Sequence, residues 1–381
     1  MLSNSKRNKF DLNKYNVLDL FSGAGGFSYG FQSAGFNIKV ANEIDVHAIK
    51  THNYNFKDSI MIDGNINDKK IKTKIITESI KHKVNIIIGG PPCKGFSLSG
   101  NQDPRDSRSQ LYIDYLDIVN AVQPEVFVIE NVPNIKNISI FPRKISEDLK
   151  SKYKTEIDRF NILQDKKNNK KISNIELSEY KVLFKIIKKN ICTNALAEII
   201  KISNQIGYKI WHNVLLASEY GVPQKRKRII IIGSRKCNPE LAIPEKKDGV
   251  KTVKDSIDDL KNKPENKKLS HIFRKYKNKT IPQKILDCDY GKSYTGTYAE
   301  ANNKCHPDKP ANTVKENHGG VMTHYELGRH LTPRELARLQ SFPDTFLFPC
   351  SKTYTLKQIG NAVPCLLAEA IGKGVKKIIQ L

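Results

Sequence analysis

The chain of 381 residues predicts an α/β fold: a mainly parallel sheet covered on both faces, with a smaller, irregular region beyond it. Two observations predict the sheet. Short, continuous apolar runs alternate with helix-forming stretches, as strands joined by helical crossovers do. Each run then ends in a loop of Gly, Pro or Asn, and ligands of such sheets bind beyond the carboxyl ends of the strands. A third observation, a long polar and basic stretch without this alternation (Ser234 to about His330), predicts the irregular region.

Taken in order, Tyr15 to Phe21 reads as a strand running into glycines, Phe27 to Ala34 as a helix and Ile38 to Glu43 as a second strand. Val84 to Ile88 and Val126 to Glu130 are two more buried strands. From Ser139 to Asn190 the composition shifts to Lys, Asn, Glu and Ile with little Gly, which predicts an inserted helical or partly disordered segment. The sheet pattern resumes with a helix over Asn194 to Gln205, a strand over Lys209 to Leu216 and the strongly apolar strand Ile229 to Gly233. A last helix is signalled over Thr332 to Gln340, where Thr332 suits the N-cap, Pro333 the first turn and Glu335 the reciprocal capping position.

Lys and Arg number 64 against 39 Asp and Glu, a formal charge of +25. Such a surplus favours a polyanionic partner, because each neutralised phosphate releases counterions. The Lys, Asn and Ile enrichment runs through the whole chain, as an AT-biased genome would make it, so charge is only a weak pointer. The seven cysteines (93, 192, 237, 288, 305, 350, 365) form no close pair, which reads as a reduced, intracellular protein without structural zinc. The polar start MLSNSKRNKF and the lack of a long apolar run predict a soluble, cytoplasmic protein with no membrane partner.

Five loops carry candidate chemistry. DLFSGAGGFSYGF (19–31) ends a strand in Gly23, Gly25 and Gly26, which lets backbone approach a nucleotide-like ligand, and Glu43 ends the next strand about 20 residues on, placed to accept ribose hydroxyls. No Gly-Lys-Ser/Thr follows, so phosphoryl transfer is disfavoured. GGPPCKGFSLSG (89–100) sets Cys93 behind two prolines at the sheet edge, where Lys94 and a helix start favour a thiolate. ENV (130–132) stands at the end of the strand VFVIE, and an acid there, Glu130, is costly to bury without partners. QKRKR (224–228) places Arg226 and Arg228 on one side of an extended segment, suited to fork-like binding of an oxygen. QIGNAVP (358–364) holds a Gly-Asn turn of low specificity alone.

In this order the segments FSGAGG (21–26), GGPPCKGFS (89–97), ENV (130–132), QKRKR (224–228), RELARLQSFP (334–343) and GNAVP (360–364) closely resemble the DNA cytosine-5 methyltransferase family, over all but the 139–190 insert and most of 236–310. The resemblance implies a Rossmann-like methyltransferase fold dependent on S-adenosylmethionine, with S-adenosylhomocysteine as product and no metal. It implies a cofactor pocket of Phe21, Ser22, Gly23, Gly25, Gly26, Glu43, Ile44, Asn65, Ile66, Pro92, Leu111, Asn361 and Ala362. Cys93 would attack carbon 6 of cytosine, Glu130 would protonate or hydrogen-bond ring nitrogen 3, and Arg228, supported by Arg226, would bind the base carbonyl. Ser97, Ser99, Arg108, Gln224 and Thr313 would meet DNA, Thr313-Val314 standing where the family has a Thr-Leu pair. One departure is Gly64-Asn65-Ile66, where the family usually shows Gly-Asp-Ile; the Asn carbonyl or Asp63 would then meet the adenine amino group.

Those roles suit the reaction. Carbon 5 of cytosine is a poor nucleophile until a thiolate adds at carbon 6, and the resulting ring charge needs a donor at nitrogen 3 and a cation at the carbonyl. The base must leave the duplex stack, and the loop Ser97 to Ser109 is expected to close over it. The expected organisation is a catalytic domain over 1–235 carrying the insert, target recognition over 236–328 (Tyr294 and Tyr298 among its Lys and Arg), a hinge and interdomain helix over 329–355, and a returning segment over 356–381. A monomer acting on double-stranded DNA is expected, as a bacterial modification enzyme with a cognate restriction endonuclease as genetic partner. The competing enzymatic reading is the tRNA-methylating branch, whose CFT signature is missing here; a non-catalytic DNA-binding relative is disfavoured by intact Cys93, Glu130 and Arg228.

Overall fold

The structure is a computed structural model that describes residues 15–92, 111–277, 280–295, 302–316 and 322–381. The sheet strands are β1 (Asn16–Leu20), β2 (Asn37–Glu43), β3 (Ile60–Asp63), β4 (Val84–Gly89) and β5 (Val126–Asn131), then β8 (Lys209–Leu216) and β9 (Lys227–Ser234). Between the last two groups the short strands β6 (Ser139–Ile140) and β7 (Thr193–Asn194) form their own antiparallel pair. The seven-stranded sheet has the order β3-β2-β1-β4-β5-β9-β8. β1 to β5 run parallel, while β9 is antiparallel to both β5 and β8. The expected strands are all present within a few residues. β3 was not anticipated: it is four residues long and only Ile62 is buried, so it lacks the apolar density of the others.

Alternate residues of the central strands feed two separate cores, as the strand period of two requires. Ile86, Ile88, Val126, Val128, Ile230 and Ile232 face one side with Phe31, Leu367 and Ile371. Ile87, Phe127, Ile129, Ile229 and Ile231 face the other with Tyr115, Leu116 and Ile199. The helices over the two faces include α1 (Gly26–Ser33), α2 (Val46–Asn55), α3 (Lys69–Lys81), α4 (Leu111–Val122) and, later in the chain, α8 (Ala195–Gln205) and α13 (Cys365–Ile379). Asp45 and Asp68 cap α2 and α3 by accepting amide hydrogens of the first turn. α1 lies directly on α13: a Cβ on Gly30 would stand 2.3 Å from Ala368 Cβ and 2.6 Å from the Cys365 carbonyl oxygen, so a glycine is needed for the helices to meet.

The insert is folded and helical. α5 (Glu147–Lys152), α6 (Lys154–Asn168) and α7 (Asn174–Asn190) enclose Phe160, Leu163, Tyr180, Leu183, Ile187 and Ile191 in a core of their own. The described residues of 236–328 form short elements, among them α9 (Val253–Ile257), α10 (Thr280–Asp287) and the two-residue parallel pair β10 (Asn303–Lys304) with β11 (Met322–Thr323). They are followed by α11 (Pro333–Leu339) and α12 (Lys352–Asn361). α11 starts with the expected reciprocal cap between Thr332 and Glu335. No helix among the described residues is long and apolar enough to cross a membrane.

Candidate active site

Because β1 to β5 are parallel, their carboxyl ends share one edge, and the antiparallel β9 starts at that same edge. The chain turns there through strained backbone at the end of β1. Phe21 has φ 58°, and Gly23 and Gly25 have φ 55° and 103°. Gly25 is required twice over: its φ disfavours a side chain, and a Cβ would lie 2.3 Å from Phe56 Cε2. Glu43, at the end of β2, holds this turn. Its carboxylate accepts the Gly23 amide at 2.8 Å, the Ile44 amide at 2.8 Å and the Asp45 amide at 2.9 Å. A carboxylate has about four acceptor positions, so one remains on Oε2 for a ligand hydroxyl.

Ile44 beside it is 61% exposed, an aliphatic face next to an acceptor. This donor and acceptor set fits a nucleoside with a free ribose. Ser22 is buried and its amide donates to the Asn42 carbonyl at 3.1 Å. Asn65 is exposed at the end of β3 and folds its Oδ1 back onto the Asn67 amide, while Ile66 is buried in the core below. Gly26 and Ala362 meet: a Cβ on Gly26 would be 3.2 Å from Ala362 Cβ. Pro92 is half-buried, Leu111 is buried at the start of α4, and Asn361 is exposed at the end of α12.

Beneath the turn lies a buried polar chain that sequence reasoning missed. Ser28 Oγ donates to Asp19 Oδ2 at 2.6 Å and stands 3.2 Å from His52 Nε2. All three residues are wholly buried. Burial pushes the Asp19 carboxyl up to about 7, aided by the charge of Glu43 and opposed by the Ser28 hydrogen bond. Burial alone pushes the His52 imidazole down to about 3.

At the other end of the edge, Arg228 Nε meets Glu130 Oε1 at 2.7 Å, with both side chains largely buried. A second guanidinium nitrogen of Arg228 donates to the Lys227 carbonyl at 2.7 Å. A Cβ on Gly90 would lie 3.3 Å from Glu130 Oε2, so the Gly89-Gly90 turn passes directly over the carboxylate. Asn131, next in the chain, donates from Nδ2 to the Pro91 carbonyl at 3.0 Å and accepts the Val132 amide at 2.8 Å. It ties the strand to the Pro91-Pro92 segment, a role no local signal announced beyond a polar residue ending an apolar strand. Cys93, Ser97, Ser99, Arg108 and Tyr298 lie outside the described residues.

Two assigned residues stand elsewhere than expected. Gln224 does not reach a DNA surface: it is fully buried, donating to the Leu339 carbonyl and to Gln340 Oε1 and accepting the Val314 amide at 2.8 Å. Arg226 is buried as well, its guanidinium donating to the Val314 carbonyl at 2.9 Å and the Gly360 carbonyl at 3.1 Å. Both residues clamp Thr313-Val314 and the GNAVP turn to the catalytic edge, because the buried carbonyls there need donors. Thr313 is half-buried, its hydroxyl donating to the Lys225 carbonyl at 2.9 Å. Arg334 and Gln340 of the RELARLQ segment act in the same way. Arg334 donates to the Leu269, Pro343 and Phe346 carbonyls, and Gln340 to those of Ile359 and Ala362.

This arrangement has counterparts. The sequence profile of C-5 cytosine-specific DNA methylases matches residues 15–158 and 184–377, and the gap falls in α6 and α7. The type II methyltransferase M1.HphI of Haemophilus parahaemolyticus is 32% identical over 97% of this chain and 91% of its own. The type II methyltransferase M.AplI of Arthrospira platensis is 32% identical over 96% and 86%. A crystal structure described as a prophage-encoded DNA modification methyltransferase of E. coli superposes with a TM-score of 0.67 at 26% identity, covering 96% of this chain and all of that one. On the profile match and the motifs gathered at one sheet edge, the chain belongs to the C-5 cytosine-specific DNA methylase family.

Proposed function

We propose that the protein methylates carbon 5 of a cytosine turned out of duplex DNA, using S-adenosylmethionine, as the modification enzyme of a type II restriction–modification system. The observation that carries this reading is the Glu130–Arg228 pair, held at 2.7 Å beneath the turn that leads through Pro91 and Pro92 into Cys93. A carboxyl and a guanidinium fixed side by side match the nitrogen 3 and carbonyl oxygen of one cytosine edge, which are themselves adjacent. Arg228 neutralises charge at the carbonyl, and Glu130 hydrogen-bonds or protonates nitrogen 3, in a site where such preorganised groups act strongly. Cys93 supplies the thiolate that adds to carbon 6, and Asn131 holds the Pro91 carbonyl two residues before Cys93.

When bound, S-adenosylmethionine supplies an electrophilic methyl group on a sulfonium. Glu43 holds its ribose through the remaining acceptor position, Ile44 and Phe21 flank its base, and the Gly23–Gly26 turn takes its amino acid end. Residues 236–328 read the DNA sequence, and Thr313, presented by the Gln224–Arg226 clamp, contacts the backbone of the target strand. Extruding the base costs a few kcal/mol, which these contacts offset.

The test is transfer of a labelled methyl group from S-adenosylmethionine to duplex DNA and, in parallel, to tRNA, followed by bisulfite mapping of the labelled DNA. Label in DNA at one recurrent cytosine is expected. Label confined to tRNA, or methylation of adenine or of the exocyclic amine of cytosine, would overturn the reading.

A further inference from the structure

The helical module over 139–190 is the part of the chain that the family profile skips in its middle, and its charges are arranged unevenly. It holds fourteen Lys and Arg against seven Asp and Glu. Within the α6–α7 hairpin the acids of α7 are consumed internally: Glu176 pairs with Lys166, and Glu179 with Arg159 through two bonds of 2.7 Å. These pairs, with Phe160 stacked on Tyr180, run α7 antiparallel to α6 and put the 169–173 turn at the far tip.

The second half of α7 returns towards the sheet and carries Lys181, Lys185, Lys188 and Lys189. The spacing places them along one side of the helix. All four are exposed, and none takes part in an ion pair among the described residues.

The module is also fixed at the catalytic edge. It leaves β5 directly after Glu130 and Asn131, through the Pro133–Asn137 turn, and is closed off by the β6–β7 ladder. At its root the Arg143 guanidinium bonds Asp117 of α4 at 2.8 Å, and the Arg143 amide bonds Glu198 of α8 at 2.9 Å. The end of α7, Asn190, is therefore a few residues from that root, so the lysine-bearing half of α7 is the half nearer the point where the module leaves the edge that holds Glu130 and Arg228. Their own core lets them project as a rigid unit.

We infer that this module is a second duplex-binding element, in which Lys181, Lys185, Lys188 and Lys189 contact phosphates flanking the target. The inference rests on the reading of the protein as a DNA methyltransferase, and its chemistry is sequence-independent: lysine ammonium groups on a rod-like polyanion. The module lengthens the bound stretch of duplex and adds no base specificity.

The experiment compares the wild-type protein with a variant carrying Lys181→Gln, Lys185→Gln, Lys188→Gln and Lys189→Gln; glutamine preserves helix propensity and length. Binding is measured between about 50 and 200 mM salt, on a duplex of roughly one helical turn and on one several turns longer with the same central sequence. On the long duplex the variant's slope of log affinity against log salt is expected to fall by roughly 2 to 4, about 0.9 for each phosphate that is no longer neutralised. On the short duplex it should barely change. A Lys170→Gln, Lys171→Gln control at the distal tip should leave both slopes near wild type. An unchanged slope on the long duplex overturns the inference, as does an equal fall on both duplexes or an equal fall per charge in the tip control. Failure of the wild type to methylate DNA would instead sink the parent reading, because the slopes are read from binding alone.

Discussion

Asn131→Asp isolates the tether between the catalytic strand and the loop that carries Cys93. The substitution is nearly isosteric and keeps an acceptor for the Val132 amide, but it removes the donor that holds the Pro91 carbonyl. An aspartate oxygen would stand 3.0 Å from that carbonyl oxygen, in a position where both residues are buried. Leaving the carbonyl unpaired costs about 1–3 kcal/mol, and the facing negative charge adds to it. The nearest relief is for the Pro91-Pro92 segment to move away. A displacement of roughly 1 Å at a reacting group costs about 100-fold in rate, which is about 2.7 kcal/mol of barrier. Cofactor affinity should fall far less than the rate, since Glu43 and the glycine turn follow β2 and β1 and make no bond to Asn131, and Pro92 is the one pocket residue in the displaced segment. Single-turnover methyl transfer at saturating cofactor reads the first effect, and titration of cofactor binding the second. A variant that transfers methyl groups at close to the wild-type rate, or that loses cofactor affinity in step with rate, would refute the tether.

Two further outcomes follow from the glycine turn and the buried chain beneath it. Gly25→Ala adds a Cβ 2.3 Å from the Phe56 ring at φ 103°, and should weaken cofactor binding at least tenfold in a calorimetric titration while lowering the melting temperature. Asp19 is held near 7 against an ordinary value of 3.8, so the folded state binds the extra proton between those values and stability is lost as pH rises through them, on the order of 4 kcal/mol. His52, lowered to about 3 from 6.5, works in the opposite sense: its contribution appears as pH rises from about 3 to 6.5. The two therefore largely cancel in the native protein. Asp19→Asn exposes the imbalance, and relative to wild type it should be more stable at pH 8 than at pH 5. Thermal melts at both values check it, and a difference that stays constant with pH would remove the protonated Asp19.

The sheet was legible because five of its seven strands are dense apolar runs, buried on both faces and ending in Gly, Pro or a carboxylate. Four residues with one buried side chain left β3 without that signature. The insert was legible as a helical or partly disordered segment, but its own core was not: Phe160, Tyr180 and Leu183 are sparse within a Lys- and Asn-rich background, and their core forms only when two helices fold back on each other. At the site, Glu43, Glu130 and Arg228 could be located from the strand ends alone. Gln224 and Arg226 could not be placed correctly, since in sequence a polar residue in a basic run looks solvated. Their buried partners lie 88 to 134 positions away, at Val314, Gln340 and Gly360. The Asp19–Ser28–His52 chain is likewise a product of packing between β1, α1 and α2.

Under the proposed function Cys93 performs the covalent step while the sheet edge of Glu43, Glu130 and Arg228 holds cofactor and base. Cys93→Ser tests it in one comparison: duplex DNA is incubated with S-adenosylmethionine and wild-type or variant protein, digested to nucleosides and analysed by mass spectrometry, with cofactor binding titrated on the same preparations. Wild type should yield 5-methylcytosine, and the variant none while binding the cofactor as tightly. Retained 5-methylcytosine in the variant, or loss of its cofactor binding, would contradict the account.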